Sequence, residues 1–161
     1  EPIDFIKNWA LLTEYYNTKG KNKVKYIGVS NFNEKQLEII NIAKPFCNQI
    51  ELNPFLLRKP VVEYCNNNNI KIVAHSPLTK GEKLEDSELK KMAGKYNKTP
   101  AQIMLQWNLQ QNNIVIPRSK NIIHIKQNIE LLNDFNDYLS GEDMNHINTF
   151  DCQYATHPKY I

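Results

Sequence analysis

Four times along this chain a short run of β-formers stops at a polar tip and a helical pattern follows, and that alternation limits what the chain can fold into. The clearest case is Val24-Lys25-Tyr26-Ile27-Gly28-Val29, which stops at Ser30-Asn31-Phe32. Phe46–Leu52 stops at Asn53-Pro54, Ile70–Ala74 at His75-Ser76-Pro77-Leu78, and Ile114–Ile116 at Pro117-Arg118-Ser119. Strands that alternate with helices pair in parallel, with the helices packed outside. Right-handed crossovers then put all four tips at one end. The predicted class is α/β: four parallel βα units, half the complement of a (β/α)8 TIM barrel. Such a half exposes two strand edges and an inner face. That predicts pairing with a complementary chain, self-association, or a longer parent protein.

Between the strands the helix signals are local and specific. Phe5, Trp9, Leu12 and Tyr16 recur at intervals of four and three, an amphipathic pattern with Asp4 as its cap, and Lys19–Lys23 makes the following turn. Asn33 and Gln36 stand in capping-box positions ahead of Leu37, Ile39 and Ile40, and Pro45 ends that helix. Lys59–Tyr64 has Pro60 near its start and precedes a turn of asparagines, Asn66–Asn69. Ser87–Tyr96 carries Leu89, Met92 and Ala93. Thr99 caps and Pro100 opens a helix that runs to Leu109 with Ile103, Met104 and Trp107 on its apolar face. Two more helical patterns cover Ile122–Asn128 and Gly141–Asn148.

Composition narrows the function classes. At 161 residues and 18.8 kDa the chain fits one domain with a sizeable core. A net charge of +3 with lysine and glutamate interspersed gives no concentrated basic field for nucleic acid. Nothing approaches the ~18 consecutive apolar residues of a membrane span. Cys47, Cys65 and Cys152 are odd in number and lack metal spacing, so reduced thiols and a cytoplasmic location are expected. Asn97-Lys98-Thr99 has the form of a glycosylation acceptor and, with no secretory segment, is read as chance. His124, His146 and His157 lack zinc spacing, and neither Gly-x-Gly-x-x-Gly nor a Gly-Lys-Ser/Thr run occurs. Asp134, Asp137, Glu142 and Asp143 read as scattered surface acids rather than a catalytic pair, and Cys47 as a small buried hydrophobe.

Ile27-Gly28-Val29-Ser30-Asn31-Phe32, Asn48-Gln49-Ile50-Glu51-Leu52-Asn53-Pro54, Ser76-Pro77-Leu78 and Ile116-Pro117-Arg118-Ser119, in this order and spacing, resemble the aldo-keto reductase family. The helix from Lys98-Thr99-Pro100-Ala101-Gln102 to Trp107 and the ending His157-Pro158-Lys159-Tyr160 match it too, so the likeness runs over essentially the whole chain. The short link from Pro77 to Leu84 is similar to the prokaryotic-type branch. The resemblance implies the C-terminal half of the barrel, strands five to eight, across residues 1–161. It implies an enzyme that reduces aldehydes and ketones with NADPH, or with NADH as the alternative. It puts Ser30, Asn31 and Gln49 on the nicotinamide carboxamide, and His75 where a tyrosine usually stacks on the ring. Ser76 and Leu78 fall on the cofactor backbone, and Arg118 and Ser119 at the 2′-phosphate. His124 stands where an arginine commonly grips the adenosine phosphate, Gln127 replaces a usual glutamate, and Asn128 is retained.

The residue types suit those roles. A carboxamide wants convergent neutral donors and acceptors, which Ser30, Asn31 and Gln49 supply. A phosphate suits the planar fork of Arg118. Taken singly, Asn31 reads as a cap or turn residue, Gln49 as a core amide, Arg118 as a surface charge and His75 as structural. Their joint placement at successive strand tips carries the cofactor reading.

The resemblance also implies what these residues omit. The family's catalytic tyrosine, lysine, aspartate and histidine lie on the first four strands, and Tyr15, Tyr16, Tyr26 and Tyr64 do not fall in its tyrosine motif. Without a proton donor the chain alone is expected to be inactive, and with only one side of the cofactor cleft present it is expected to bind NADPH weakly or not at all. Glu1-Pro2-Ile3 is neither an initiator nor a targeting start, and a cleaved or incomplete parent is expected. The alternative is a non-catalytic half-barrel, a binding or assembly module. Expected partners are a small carbonyl substrate for the full-length protein and either the missing half or a second copy, with no nucleic acid, membrane or metal.

Overall fold

The computed structural model describes residues 4–20, 22–132 and 138–157. Its four strands are β1 (Val29–Ser30), β2 (Cys47–Glu51), β3 (Lys71–His75) and β4 (Ile114–Val115), ordered β1-β2-β3-β4 in one sheet. The pairs β1–β2 and β3–β4 are parallel, and helices alternate with the strands, as the sequence predicts. The chain divides into two compact units, residues 1–50 with 59–72, and residues 51–58 with 73–161.

In the first unit α1 (Phe5–Tyr15) is capped by Asp4, whose carboxylate accepts the Lys7 N–H at 2.9 Å. Trp9 is buried, and its indole donates to the Ala43 carbonyl at 2.8 Å. Leu12 is exposed, so the apolar stripe is narrower than the four-residue pattern suggests. The chain continues through a π turn, Tyr16–Gly20, instead of breaking at Lys19. Strand β1 is also shorter than the expected 24–29 run. Val24 and Tyr26 are exposed there, and the Phe46 N–H reaches back to the Ile27 carbonyl at 2.9 Å. Helix α2 (Glu34–Ile39) forms both bonds of the Asn33–Gln36 capping box, burying Leu37 and leaving Ile39 exposed. Helix α3 (Lys59–Asn67) buries Val61 and Cys65 and takes in Asn66 and Asn67, so the asparagine turn is confined to Asn68 and Asn69.

The register of β1 on β2 pairs Val29 with Asn48 and Ser30 with Gln49. Gly28 makes this approach close: a Cβ there would lie 2.5 Å from Cys47 Sγ and 2.7 Å from the Cys47 carbonyl oxygen. Cys47 is half-buried rather than buried.

In the second unit β3 pairs with β4 through Val73–Ile114 and Ala74–Val115. Asp86 caps α4 (Ser87–Lys95), which buries Leu89, Met92 and Ala93 as expected. The Thr99–Gln102 capping box opens α5 (Pro100–Gln110), with Pro100 in its first turn. Helix α5 is buried continuously from Gln102 to Asn108, so it is enclosed rather than amphipathic. Its polar members are satisfied: Gln102 Nε2 donates to the Gln127 carbonyl at 3.1 Å, and Asn108 Nδ2 to that of Leu52 at 3.3 Å. Helices α6 (Ile122–Glu130) and α7 (Gly141–Ile147) follow.

Asp143 corrects the sequence reading of a surface acid. It is buried, and its carboxylate takes bonds from Lys95 Nζ, Tyr96 Oη and Ser140 Oγ. Lys95 and Tyr96 come from distant sequence, which is why local composition hid them, whereas Ser140 is the cap of the same helix. Asp134, Asp137 and Pro158–Ile161 lie outside the described residues.

Candidate functional site

The tip of β1 is built from main-chain bonds. Ser30 Oγ donates to the Gln49 carbonyl at 3.1 Å, and the Asn31 N–H donates to the same oxygen at 2.9 Å. Asn31 sits at φ +57°, the left-handed conformation that asparagine tolerates better than most residues. Buried Asn48 holds the next residue: its Nδ2 donates to the Phe32 carbonyl at 2.8 Å and its Oδ1 accepts the Phe32 N–H at 3.3 Å. Thus Ser30, Asn31 and Gln49 are brought together, through the Gln49 carbonyl rather than its side-chain amide. The role of Asn48 was hidden because a buried asparagine on a strand has no local signature.

Behind this tip Cys65 is fully buried, and burial pushes its thiol up to about 11 against a smaller pull from Asn48. Burial raises Cys47 as well. Neither thiol is poised as a nucleophile at neutral pH.

In the second unit one cavity of about 700 Å³ gathers six of the residues singled out from sequence. Ser76, Leu78, Arg118, Ser119, His124 and Asn128 all line it, with Gln127 beside them. Its size lies within the range of small-molecule sites. Lys80 adds a second fixed cation to the wall and Glu85 an acid. Arg118 is exposed, so its guanidinium fork is accessible. Ser119 Oγ accepts the Asn121 N–H at 3.1 Å, and Asn121 Oδ1 accepts the Ile123 N–H at 2.9 Å, which fixes the turn into α6.

The wall between Ser76 and Gly81 is unusual backbone. Ser76 (φ +47°), Thr79 (+50°), Lys80 (+54°) and Gly81 (+92°) all lie in the left-handed region. Strain of this kind persists only where surrounding contacts over-determine it, and it gathers at ligand sites. Thr79 is one such anchor, fully buried, its Oγ1 accepting the Lys83 N–H at 3.1 Å.

His75 ends β3 beside Ser76, with Nδ1 3.3 Å from Ser76 Oγ, and does not line the cavity. Burial lowers its pKa below the ordinary histidine value, with repulsion from His157 and Arg58 adding to this and Glu51 opposing it. The ring is therefore neutral at pH 7, and a neutral imidazole presents a flat apolar face. The His157 ring lies 6.2 Å away between centroids.

Among the described residues no group of three or more His, Cys, Asp or Glu side chains could hold a metal ion, and no helix is long and apolar enough to cross a membrane.

Comparison with known proteins bears on the family and the fold. Residues 4–151 match the Aldo/keto reductase family. Aldo-keto reductase family 1 member A1-A of Danio rerio is 41% identical over 156 residues, covering 89% of this chain and 46% of that protein. The 9,11-endoperoxide prostaglandin H2 reductase of Trypanosoma cruzi is 38% identical, covering 89% and 50%. The crystal structure of Gox0644 in its apo form superposes with a TM-score of 0.83 at 36% identity, covering 91% of this chain and 53% of the other. The chain spans about half the length of the curated relatives it matches. Matched over nearly all its residues in sequence and in fold, the chain belongs to the aldo/keto reductase family.

Proposed function

We propose that this chain supplies the dinucleotide-holding part of an NAD(P)H-dependent reductase of aldehydes and ketones. One observation carries the reading: the cavity of the second unit gathers Ser76, Leu78, Arg118, Ser119, His124 and Asn128, which come from two separate stretches of the sequence.

The donor set fits a phosphate-bearing ligand. Arg118 offers a planar fork, Lys80 a point charge, and Ser76 and Ser119 hydroxyl groups, against one acid, Glu85. In this reading Arg118 and Ser119 hold the 2′-phosphate, which favours NADPH over NADH. Ser76, Leu78, His124 and Asn128 line the rest of the nucleotide path. Within the second unit neutral His75 gives its face to the nicotinamide ring, and the family resemblance assigns the carboxamide to Ser30, Asn31 and Gln49 of the first unit. When bound, the reduced nicotinamide supplies the hydride. The residues of this chain bind and orient, and the proton donor comes from residues other than these.

Titration with NADPH and NADH, followed by quenching of Trp9 and Trp107, tests this. Saturable binding with a Kd weaker than about 1 μM and a preference for NADPH is expected. No saturable quenching with either nucleotide contradicts the proposal.

A further inference from the structure

Glu51 is almost wholly buried at the end of β2, and a buried carboxylate is costly unless it is hydrogen-bonded. Its partners are main-chain groups near the far end of the chain. The Thr156 N–H donates to Oε1 at 2.7 Å and the His157 N–H to Oε2 at 3.2 Å. Residues 151–157 have no regular structure of their own, yet they are tied down along their length. The Phe55 carbonyl accepts the N–H of Cys152 at 3.3 Å and of Tyr154 at 2.9 Å. Lys83 Nζ lies 4.3 Å from the Tyr154 ring centre. Lys80 adds a further tie: its Nζ donates to the Thr156 carbonyl at 3.1 Å.

Lys80 therefore has two surroundings. It lines the cavity and it holds this strap, from a left-handed backbone position. A neutral carbonyl is a weak partner for an ammonium compared with a phosphate oxygen. We infer that Lys80 is a phosphate-binding residue whose engagement trades against the Thr156 carbonyl, so that dinucleotide binding loosens the strap and the strap restrains dinucleotide binding. Glu51 is the fixed anchor of that exchange and a positioning residue. The inference rests on the dinucleotide reading of the cavity. Linkage makes the coupling reciprocal, which fixes the signs for variants.

The test is amide hydrogen exchange of residues 152–157 in the full chain, with and without NADP+, together with NADP+ affinity. In wild type NADP+ speeds exchange of the strap. In Lys80→Gln the strap exchanges faster without ligand, NADP+ adds nothing, and affinity falls by about tenfold, the loss of one charge-assisted contact. In Glu51→Gln the strap is loosened, Lys80 is released, and affinity rises several-fold. A merely structural role for Glu51 lowers affinity instead. Strap exchange indifferent to NADP+, or affinity unchanged or lowered in a folded Glu51→Gln, overturns the coupling. Should Glu51→Gln not fold, Lys80→Gln, at an exposed position, decides through the exchange readout alone. Inorganic pyrophosphate separates the two ideas. If NADP+ does not bind but pyrophosphate still loosens the strap, the dinucleotide reading fails and the coupling stands; if neither loosens it, the coupling fails.

Discussion

Lys95 Nζ lies 2.8 Å from both carboxylate oxygens of Asp143, joining the end of α4 to the first turn of α7. The arrangement is asymmetric: the Asp143 side chain is 8% exposed and that of Lys95 59%. Tyr96 Oη and Ser140 Oγ complete the shell, and Ser140 Oγ in turn accepts the Asp143 N–H at 3.1 Å as the helix cap.

These bonds, that from Lys95 foremost, hold the Asp143 carboxyl down to about 2. A depressed folded-state pKa means that the unfolded chain binds the proton more readily, so Asp143 stabilises the fold above the ordinary carboxylate pKa. That contribution is lost as pH falls from there through about 2. Asp143→Asn should lower Tm by roughly 4 °C or more at pH 7, and the gap to wild type should close near pH 2. Thermal melts followed by circular dichroism at both pH values check this; a gap that persists at low pH contradicts it.

Gly28 has no room for a side chain. Alanine there puts Cβ against both Cys47 Sγ and the Cys47 carbonyl oxygen. Gly28→Ala should cost about 1–3 kcal/mol in urea unfolding. Adding Cys47→Ala should recover only part of it, because the carbonyl clash remains. Full recovery in the double variant would show that the backbone approach is not limiting.

The caps make smaller predictions. Asn33→Ala removes the acceptor of the Gln36 N–H at 2.9 Å and should cost about 1 kcal/mol. Thr99→Ala does the same for α5, whose first turn lines the cavity, so it should also weaken NADPH binding. Chemical denaturation of the two variants, with NADPH titration of the second, measures both effects.

What could be read in advance followed the range of the interaction. Asp4, Asn33 with Gln36, and Thr99 with Gln102 all cap as expected, because a cap is decided within four residues. The parallel alternation was legible because each strand run and each helical period is local. Strand β1 was overestimated, since β propensity in Val24–Ile27 does not supply a pairing partner. Asn48, Glu51 and Asp143 were missed or misjudged for one reason: a buried polar side chain is defined by partners far away in sequence, at Phe32, Thr156 and Lys95. The family resemblance supplied Ser76, Leu78, Arg118, Ser119, His124 and Asn128, and the fold gathers them; Lys80 became visible only once the cavity and the strap were both in place.

Arg118→Ala should weaken NADPH by about 10- to 100-fold and NADH by little, as expected for charge-assisted bonds to a phosphate that only one of them carries. Calorimetric titration of both nucleotides separates this from a general loss of the cavity, which would weaken both alike.

Backbone amide chemical shifts of the labelled chain, titrated with 2′,5′-ADP, test most directly whether this fold holds a phosphate-bearing nucleotide. Concentration-dependent shifts centred on Ser76, Leu78, Arg118, Ser119 and Asn128 are predicted. Shifts confined to other parts of the chain, or none at any concentration, would contradict it.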